Sequence, residues 1–291
     1  MDIGSPMAYC FVRRPSPMEV DPEVNMTRTL SVQEFAARKA ACLPISMVTC
    51  YDHWSARLLA ATDVDCLLVG DSVAMVMHGH DSTIHADLDM MALHTEAVSR
   101  GAGGKFIVTD MPFLAHRAGT PAAMAAVGRL VQAGAMAVKI EGAAGNLELI
   151  RHIVESGVPV MGHLGLTPQS HLVLGGHRVQ GRDEQVAASI LASAGQLASA
   201  GCFALVLECV PDTLAERVTQ SVGIPTIGIG AGSGTDGQVL VLHDLLAVNE
   251  TFHPRFVRQY GEGHRWVREA VDAFHRDVVS RRFPGPAETF S

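Results

Sequence analysis

Residues capable of chemistry recur in one setting along this chain, each closing a short apolar run. Val69-Gly70-Asp71-Ser72 ends one such run, Val108-Thr109-Asp110-Met111 another and Val138-Lys139-Ile140-Glu141 a third. Met161-Gly162-His163 and Val206-Leu207-Glu208-Cys209 obey the same rule. Asp71, Asp110 and Glu141 are hard oxygen donors suited to Mg²⁺, an ion that keeps waters and leaves positions open for substrate oxygens. No Cys/His spacing accompanies them, which argues against structural zinc. Alone, each carboxylate also reads as a helix N-cap or a surface ion pair. Gathered at one place, the three need a compensating cation.

Lysine is scarce: 19 Arg stand against only Lys39, Lys105 and Lys139. Lys139 and Glu141 are two residues apart on a strand and share a face, while Val138 and Ile140 point to the other side. A buried Lys139 needs an anionic partner, which a substrate carboxylate or a developing enolate supplies. An internal Lys139–Glu141 ion pair is the simpler reading of the same spacing. Glu208 comes after Ala204-Leu205-Val206-Leu207, an apolar setting expected to raise its carboxyl toward the range of a general base. Its alternative role is to orient His163. Among 14 histidines, His163 stands out for its strand-end position between Gly162 and Gly165.

Eight strands and intervening helices would position these groups. The strand candidates are 45–51, 66–71, 105–110, 137–141, 159–163, 204–208, 226–230 and 239–243. Helical stretches lie near 53–63, 88–100, 121–133, 145–156, 184–200 and 212–222, with a C-terminal helix near 264–281. Thr120-Pro121 reads as an N-cap with proline next to it in the first turn, and Gly134 ends that helix. Apolar strands alternating with helices predict a parallel sheet covered on both faces. Eight units point to an α/β fold, a (β/α)₈ TIM barrel, with an open doubly wound sheet as the lesser alternative. Residues 1–28, with four prolines, are expected to be a disordered extension, and 29–291 a single barrel domain. The segments after Asp71 and after His163 are unusually long, and both begin on the face where barrel loops form active sites; they read as lids or substrate contacts.

Composition narrows the function classes. The 291 residues are 48% hydrophobic and 18% charged with a net charge of −8, an ordinary globular balance. No basic footprint for nucleic acid or a membrane surface appears, and no apolar run reaches the length of a span. Six cysteines without a regular framework read as reduced thiols; with no signal peptide recognised, a cytoplasmic location is expected. Gly232-Ser233-Gly234-Thr235-Asp236-Gly237 spells a dinucleotide fingerprint. The next run, Gln238–His243, is strand-like rather than helical, so that reading is rejected. Gly228, Gly230 and Gly232 instead permit close backbone approach, with ligand contact there as an open option.

Several ordered segments together resemble the ketopantoate hydroxymethyltransferase family. They include Thr49-Cys50-Tyr51-Asp52, Val69-Gly70-Asp71-Ser72, Gly79-His80-Asp81-Ser82-Thr83 and Val138-Lys139-Ile140-Glu141-Gly142. They continue with Gly162 through Gln169, Val179-Gln180-Gly181-Arg182, Leu207-Glu208-Cys209-Val210 and Ile227 through Gly232. The resemblance spans roughly residues 30–285. It implies a phosphoenolpyruvate/pyruvate-type barrel that uses Mg²⁺ and moves a hydroxymethyl group from 5,10-methylenetetrahydrofolate to 3-methyl-2-oxobutanoate, giving 2-dehydropantoate for pantothenate synthesis. It further implies Asp71, Asp110 and Glu141 as metal-site carboxylates, and Asp71, Ser72, Asp110 and Lys139 as ketoacid contacts. Glu208 is implied as proton acceptor, with His163 near the substrate, and a homo-oligomer, commonly decameric, as the assembly. Ala74 departs from the family, which often has Gly there.

Two rivals stay open on sequence. A Mg²⁺-dependent lyase or mutase of the phosphoenolpyruvate mutase/isocitrate lyase superfamily would share the carboxylates, but such lyases rely on a loop cysteine that neither long insertion contains. A barrel that only binds ketoacids would have no need of both Glu208 and Lys139.

Overall fold

The computed structural model describes residues 30–176, 178–250 and 254–290; the extension expected at 1–28 lies outside them. Eight parallel strands close into a barrel in sequence order. They are β1 (Ile45–Thr49), β2 (Cys66–Val69), β3 (Phe106–Asp110), β4 (Ala137–Glu141), β5 (Val160–Gly165), β6 (Ala204–Glu208), β7 (Thr226–Ile229) and β8 (Gly237–Leu240). Pairing of β1 with β8, Ile45 opposite Gly237 through Val48 opposite Leu240, closes the ring. The open doubly wound sheet is thereby excluded. β8 begins two residues earlier than expected, because Gly237 offers no side chain to announce a strand.

Strand alternation divides the apolar residues into two groups. Leu67, Val69, Ile107, Val138, Ile140, Leu205 and Leu207 pack outward with the surrounding helices. Cys66, Leu68, Phe106, Val108, Ala137, Met161, Ala204, Val206, Ile227 and Val239 fill the barrel interior. Two residues further along the same inward rows stand Asp110, Lys139, His163 and Glu208.

A helix that the sequence pattern did not announce, Val32–Ala40, closes the barrel's N-terminal end. Its start is fixed by a capping box between Ser31 and Glu34, which satisfies exposed N–H groups at the first turn. Phe35 enters the floor and packs on Phe106 and Phe203, ring centroids 5.2 Å away in each case. Lys39 Nζ donates to Asp236 Oδ2 at 2.7 Å and to the Thr219 carbonyl at 2.9 Å, tying this helix to the β7–β8 side.

Six helices expected between strands form as His53–Ala60, Leu88–Gly101, Thr120–Gln132, Leu147–Glu155, Glu184–Ser199 and Asp212–Ser221. The third starts one residue earlier than predicted: Gly119 is its N-cap and Thr120 its first residue. β7 and β8 are joined by residues 230–236 alone, without a helix, so this stretch of the barrel's outer wall is bare and Ser46 and Gln238 are exposed. The C-terminal helix, Gly263–Val279, buries none of its residues and displays Trp266, Val271 and Phe274. Among the described cysteines Cys50, Cys66 and Cys202 are buried, Cys209 half-buried and Cys42 exposed, all as free thiols.

Candidate active site

The C-terminal ends of β2 to β6 bring the sequence-selected residues into one buried cluster. Gly70 comes directly after β2, and the Asp71 N–H donates to Asp110 Oδ2 at 3.0 Å, fixing the first carboxylate against the second. Ser72 Oγ meets the hydroxyl of fully buried Tyr51 at 2.8 Å. On β4, Lys139 Nζ lies 3.0 Å from Asp110 Oδ1 and donates to His163 Nδ1 at 3.2 Å. Lys139 therefore pairs with Asp110 on the neighbouring strand rather than with Glu141, its expected simpler partner. Glu141 Oε1 is 3.4 Å from His163 Nδ1, and Glu208 Oε2 is 3.3 Å from His163 Nε2. The imidazole thus bridges β4 and β6, and Glu208, the least buried of the group, stands at the rim.

The backbone is shaped to permit this. Gly165 at the end of β5 has φ +94°, and a Cβ there would come within 2.2 Å of the Glu208 carbonyl. Leu166 N–H reaches that carbonyl at 2.8 Å, so only glycine lets the β5 loop start so close to the candidate base. Asn146, wholly buried, donates to the carbonyls of Glu141 and Gly142 at 2.9 and 3.0 Å and holds the turn after β4.

Gln169 is a site residue to which sequence reasoning assigns no role. Its side-chain amide donates to Asp71 Oδ2 at 2.8 Å and to the Met111 carbonyl at 2.9 Å, while its backbone N–H donates to Glu141 Oε2 at 3.2 Å. It comes from the short turn Pro168–Ser170 in the long segment after β5. That segment contributes to the cluster directly. The segment after Asp71 forms two short helical turns, Val73–Val76 and Thr83–His85.

Packing these titratable groups out of water alters the proton affinity of three of them. Burial, and then the Asp110 and Glu141 charges, push Asp71 well above the usual carboxylate range, with Lys139 and Gln169 opposing. Burial works against the Lys139 charge, but Asp110, Glu141 and Asp71 outweigh it and raise its pKa. Burial and Lys139 disfavour a charged His163; hydrogen bonds to Glu141 and Glu208 prevail and shift it upward.

Whether these residues fit a cation can be judged from the donor atoms. Among the described residues no three His, Cys, Asp or Glu side chains close into a ready-made ligand cage. The expected Asp71, Asp110 and Glu141 set is thus present at one mouth but not drawn together, because Gln169 and Lys139 engage its oxygens. Among the described residues Asp110 Oδ1 meets the Lys139 ammonium at 3.0 Å and Glu141 Oε1 the His163 imidazole at 3.4 Å, so each buried oxygen keeps a further lone pair. Hard oxygens with spare lone pairs beside a raised carboxylate suit Mg²⁺, which needs only one or two protein carboxylates.

A closed parallel barrel with a charged cluster at its strand C-termini defines a TIM-barrel enzyme. Solved barrels of the same shape include a phosphonopyruvate hydrolase in complex with oxalate and Mg²⁺ (TM-score 0.59, 11% identity, covering 88% of this chain and 92% of that one). Another is a 2,3-dimethylmalate lyase of the PEP mutase/isocitrate lyase superfamily (0.53, 16%, 88% and 89%). At these identities they show the fold alone. Sequence similarity goes further: the family model for ketopantoate hydroxymethyltransferase matches residues 29–286. A 3-methyl-2-oxobutanoate hydroxymethyltransferase of Bdellovibrio bacteriovorus is 53% identical over 261 residues, 90% of this chain and 99% of that protein. Proteins of the same name from Coxiella burnetii (52%, 88% and 96%) and Legionella pneumophila (49%, 90% and 100%) agree. The chain belongs to the ketopantoate hydroxymethyltransferase family of enzymes.

Proposed function

We propose that the enzyme transfers the one-carbon unit of 5,10-methylenetetrahydrofolate to 3-methyl-2-oxobutanoate in the cytoplasm, with water supplying the hydroxyl of the product 2-dehydropantoate. The observation that carries this reading is the buried Asp71, Asp110, Lys139, Glu141 and His163 cluster with Glu208 at its rim, in a chain of this family. Asp71, Asp110 and Glu141 would hold Mg²⁺, whose Lewis acidity favours the enolate of a 2-oxoacid. Lys139 and Ser72 meet the ketoacid's carboxylate and keto oxygens. Glu208 removes the C3 proton, and His163, wedged between two carboxylates, orients it and balances the charge that develops. Water takes the one-carbon unit off the folate nitrogens at the formaldehyde level, leaving tetrahydrofolate; the enolate carbon adds to that carbonyl carbon, whose oxygen takes a proton and becomes the product's hydroxyl. The two long segments frame the cleft that the folate enters. The exposed apolar face of the C-terminal helix supports a homo-oligomer.

The test is incubation with both substrates and Mg²⁺, with NMR detection of 2-dehydropantoate. Exhaustive chelation should stop turnover and added Mg²⁺ restore it. Full activity in metal-free buffer would remove the ion from the reaction.

A further inference from the structure

The bare outer wall beside β7 and β8 forms a cavity of about 1140 Å³ that reaches from the end of β6 down to the start of β1. Three guanidinium groups line it: Arg182, Arg255 and Arg258. All three are exposed, and among the described residues none of these side chains has a hydrogen-bond or ion-pair partner. Several other surface arginines are engaged, as Arg129 is by Asp89 and Arg265 by Glu269. Two carboxylates share the cavity, but Asp65 is neutralised by Arg38 at 2.7 Å and Asp212 accepts from the Thr213 N–H at 2.8 Å. The cavity is therefore net cationic, on a chain whose net charge is −8.

Its upper end adjoins the reaction site. Cys209, the residue after Glu208, lines it together with Gly230. The Phe256 ring lies so close that a Cβ on Gly230 would meet it at 3.1 Å, with the Cys209 sulfur at 3.3 Å. Gly230, one of the three glycines read as permitting close backbone approach, thus lets an aromatic ring settle over the rim between β6 and β7.

From this geometry we infer that the groove is the seat of the folate's p-aminobenzoyl-glutamate arm, and that Arg182, Arg255 and Arg258 read the carboxylates of a polyglutamate tail. The inference rests on the folate-dependent transfer proposed above. With the one-carbon end at the mouth, the aryl ring crosses the rim on Phe256 and the glutamates descend the wall where a seventh helix would otherwise lie. Guanidinium groups match carboxylates bidentately, and the four residues of β8 at about 3.3 Å each give the wall roughly 13 Å, room for about two γ-linked glutamyl units.

The experiment compares KM for monoglutamyl and pentaglutamyl 5,10-methylenetetrahydrofolate in the native enzyme and in an Arg182→Ser/Arg255→Ser/Arg258→Ser variant. C3 deuterium exchange of the ketoacid, which needs no folate, reports in the same preparations that the mouth is intact. The native enzyme should favour the pentaglutamate by about tenfold or more in KM, the equivalent of one charge-assisted contact. That preference should shrink with added salt and collapse toward unity in the variant. If the native enzyme exchanges C3 but takes a one-carbon unit from neither folate, the functional reading itself fails. If it uses the monoglutamate and further glutamates leave KM unchanged, the groove assignment alone is overturned. A variant with altered oligomeric state and an undiminished KM ratio would place a second copy in the groove and overturn it equally.

Discussion

The two ends of the barrel interior are built on the same strands and behave as different materials. At the floor, Phe35, Phe106, Phe203 and Met161 interlock with no ionisable group among them. One or two inward positions later the same rows carry Asp110, Lys139, Glu141 and His163, all nearly inaccessible to water. The floor gains from burial, whereas each ion at the mouth loses hydration that only its neighbours restore. A strand of five residues therefore serves stability at its first inward position and chemistry at its last.

The largest effect should come from removing the mouth's buried ammonium. Lys139→Met would leave buried Asp110 without its paired cation, costing about 3–5 kcal/mol of stability and abolishing ketoacid binding. Urea denaturation and C3 exchange would measure both. Stability unchanged within error would show that the mouth is not held together by charge.

Next is Glu208→Gln, which should keep the fold and ketoacid binding while slowing C3 deuterium exchange by roughly 10²–10⁴-fold. Exchange at the native rate would pass the base role to His163. Lost ketoacid binding would make Glu208 a structural group.

At the other end, Phe35→Leu should cost about 1–2 kcal/mol through lost aromatic packing and leave kcat within about twofold. A kcat that fell with stability would mean that the two ends are coupled. The smallest effect is a gain. Asp71 is held protonated more readily in the folded chain than in the unfolded one, so its contribution is full below the ordinary carboxylate range and is lost as pH rises through its folded value. In metal-free protein at neutral pH, Asp71→Asn should remove that penalty and raise Tm by roughly 2–4 °C for about 1 kcal/mol. A lowered Tm would show that Gln169 and Lys139 fully compensate the ionised carboxylate.

The mouth was more legible in the sequence than the floor. A charged residue ending an apolar run conflicts with its surroundings, so Asp71, Asp110, Lys139, Glu141, His163 and Glu208 could be picked out, and the strands with them. The helix Val32–Ala40 sends one residue, Phe35, to full burial; a single apolar contact carries almost no periodicity, so the barrel's plug leaves no trace in the pattern. Gln169 escapes for another reason. It is a neutral amide in a loop, and nothing in its type shows that it will donate to one carboxylate while its backbone donates to a second. The missing helix between β7 and β8 is already legible in the sequence, which places none there; what the pattern cannot show is that Phe256 and three arginines from distant segments gather on the wall left bare.

The tie between Lys39 and Asp236 joins positions 197 residues apart, and its consequence lies in the order of folding. Early βα units can pair with their neighbours as they form, but β1 has no second partner until β8 arrives. Phe35 likewise has no finished pocket to enter until the ring closes. Loop-closure entropy grows only logarithmically, so this span costs about 0.6 kcal/mol more than one half as long. The delay is topological rather than energetic, since contacts of such long range are slow to find. Closure at the β1–β8 seam should then be the late kinetic event that completes the floor and the catalytic mouth together.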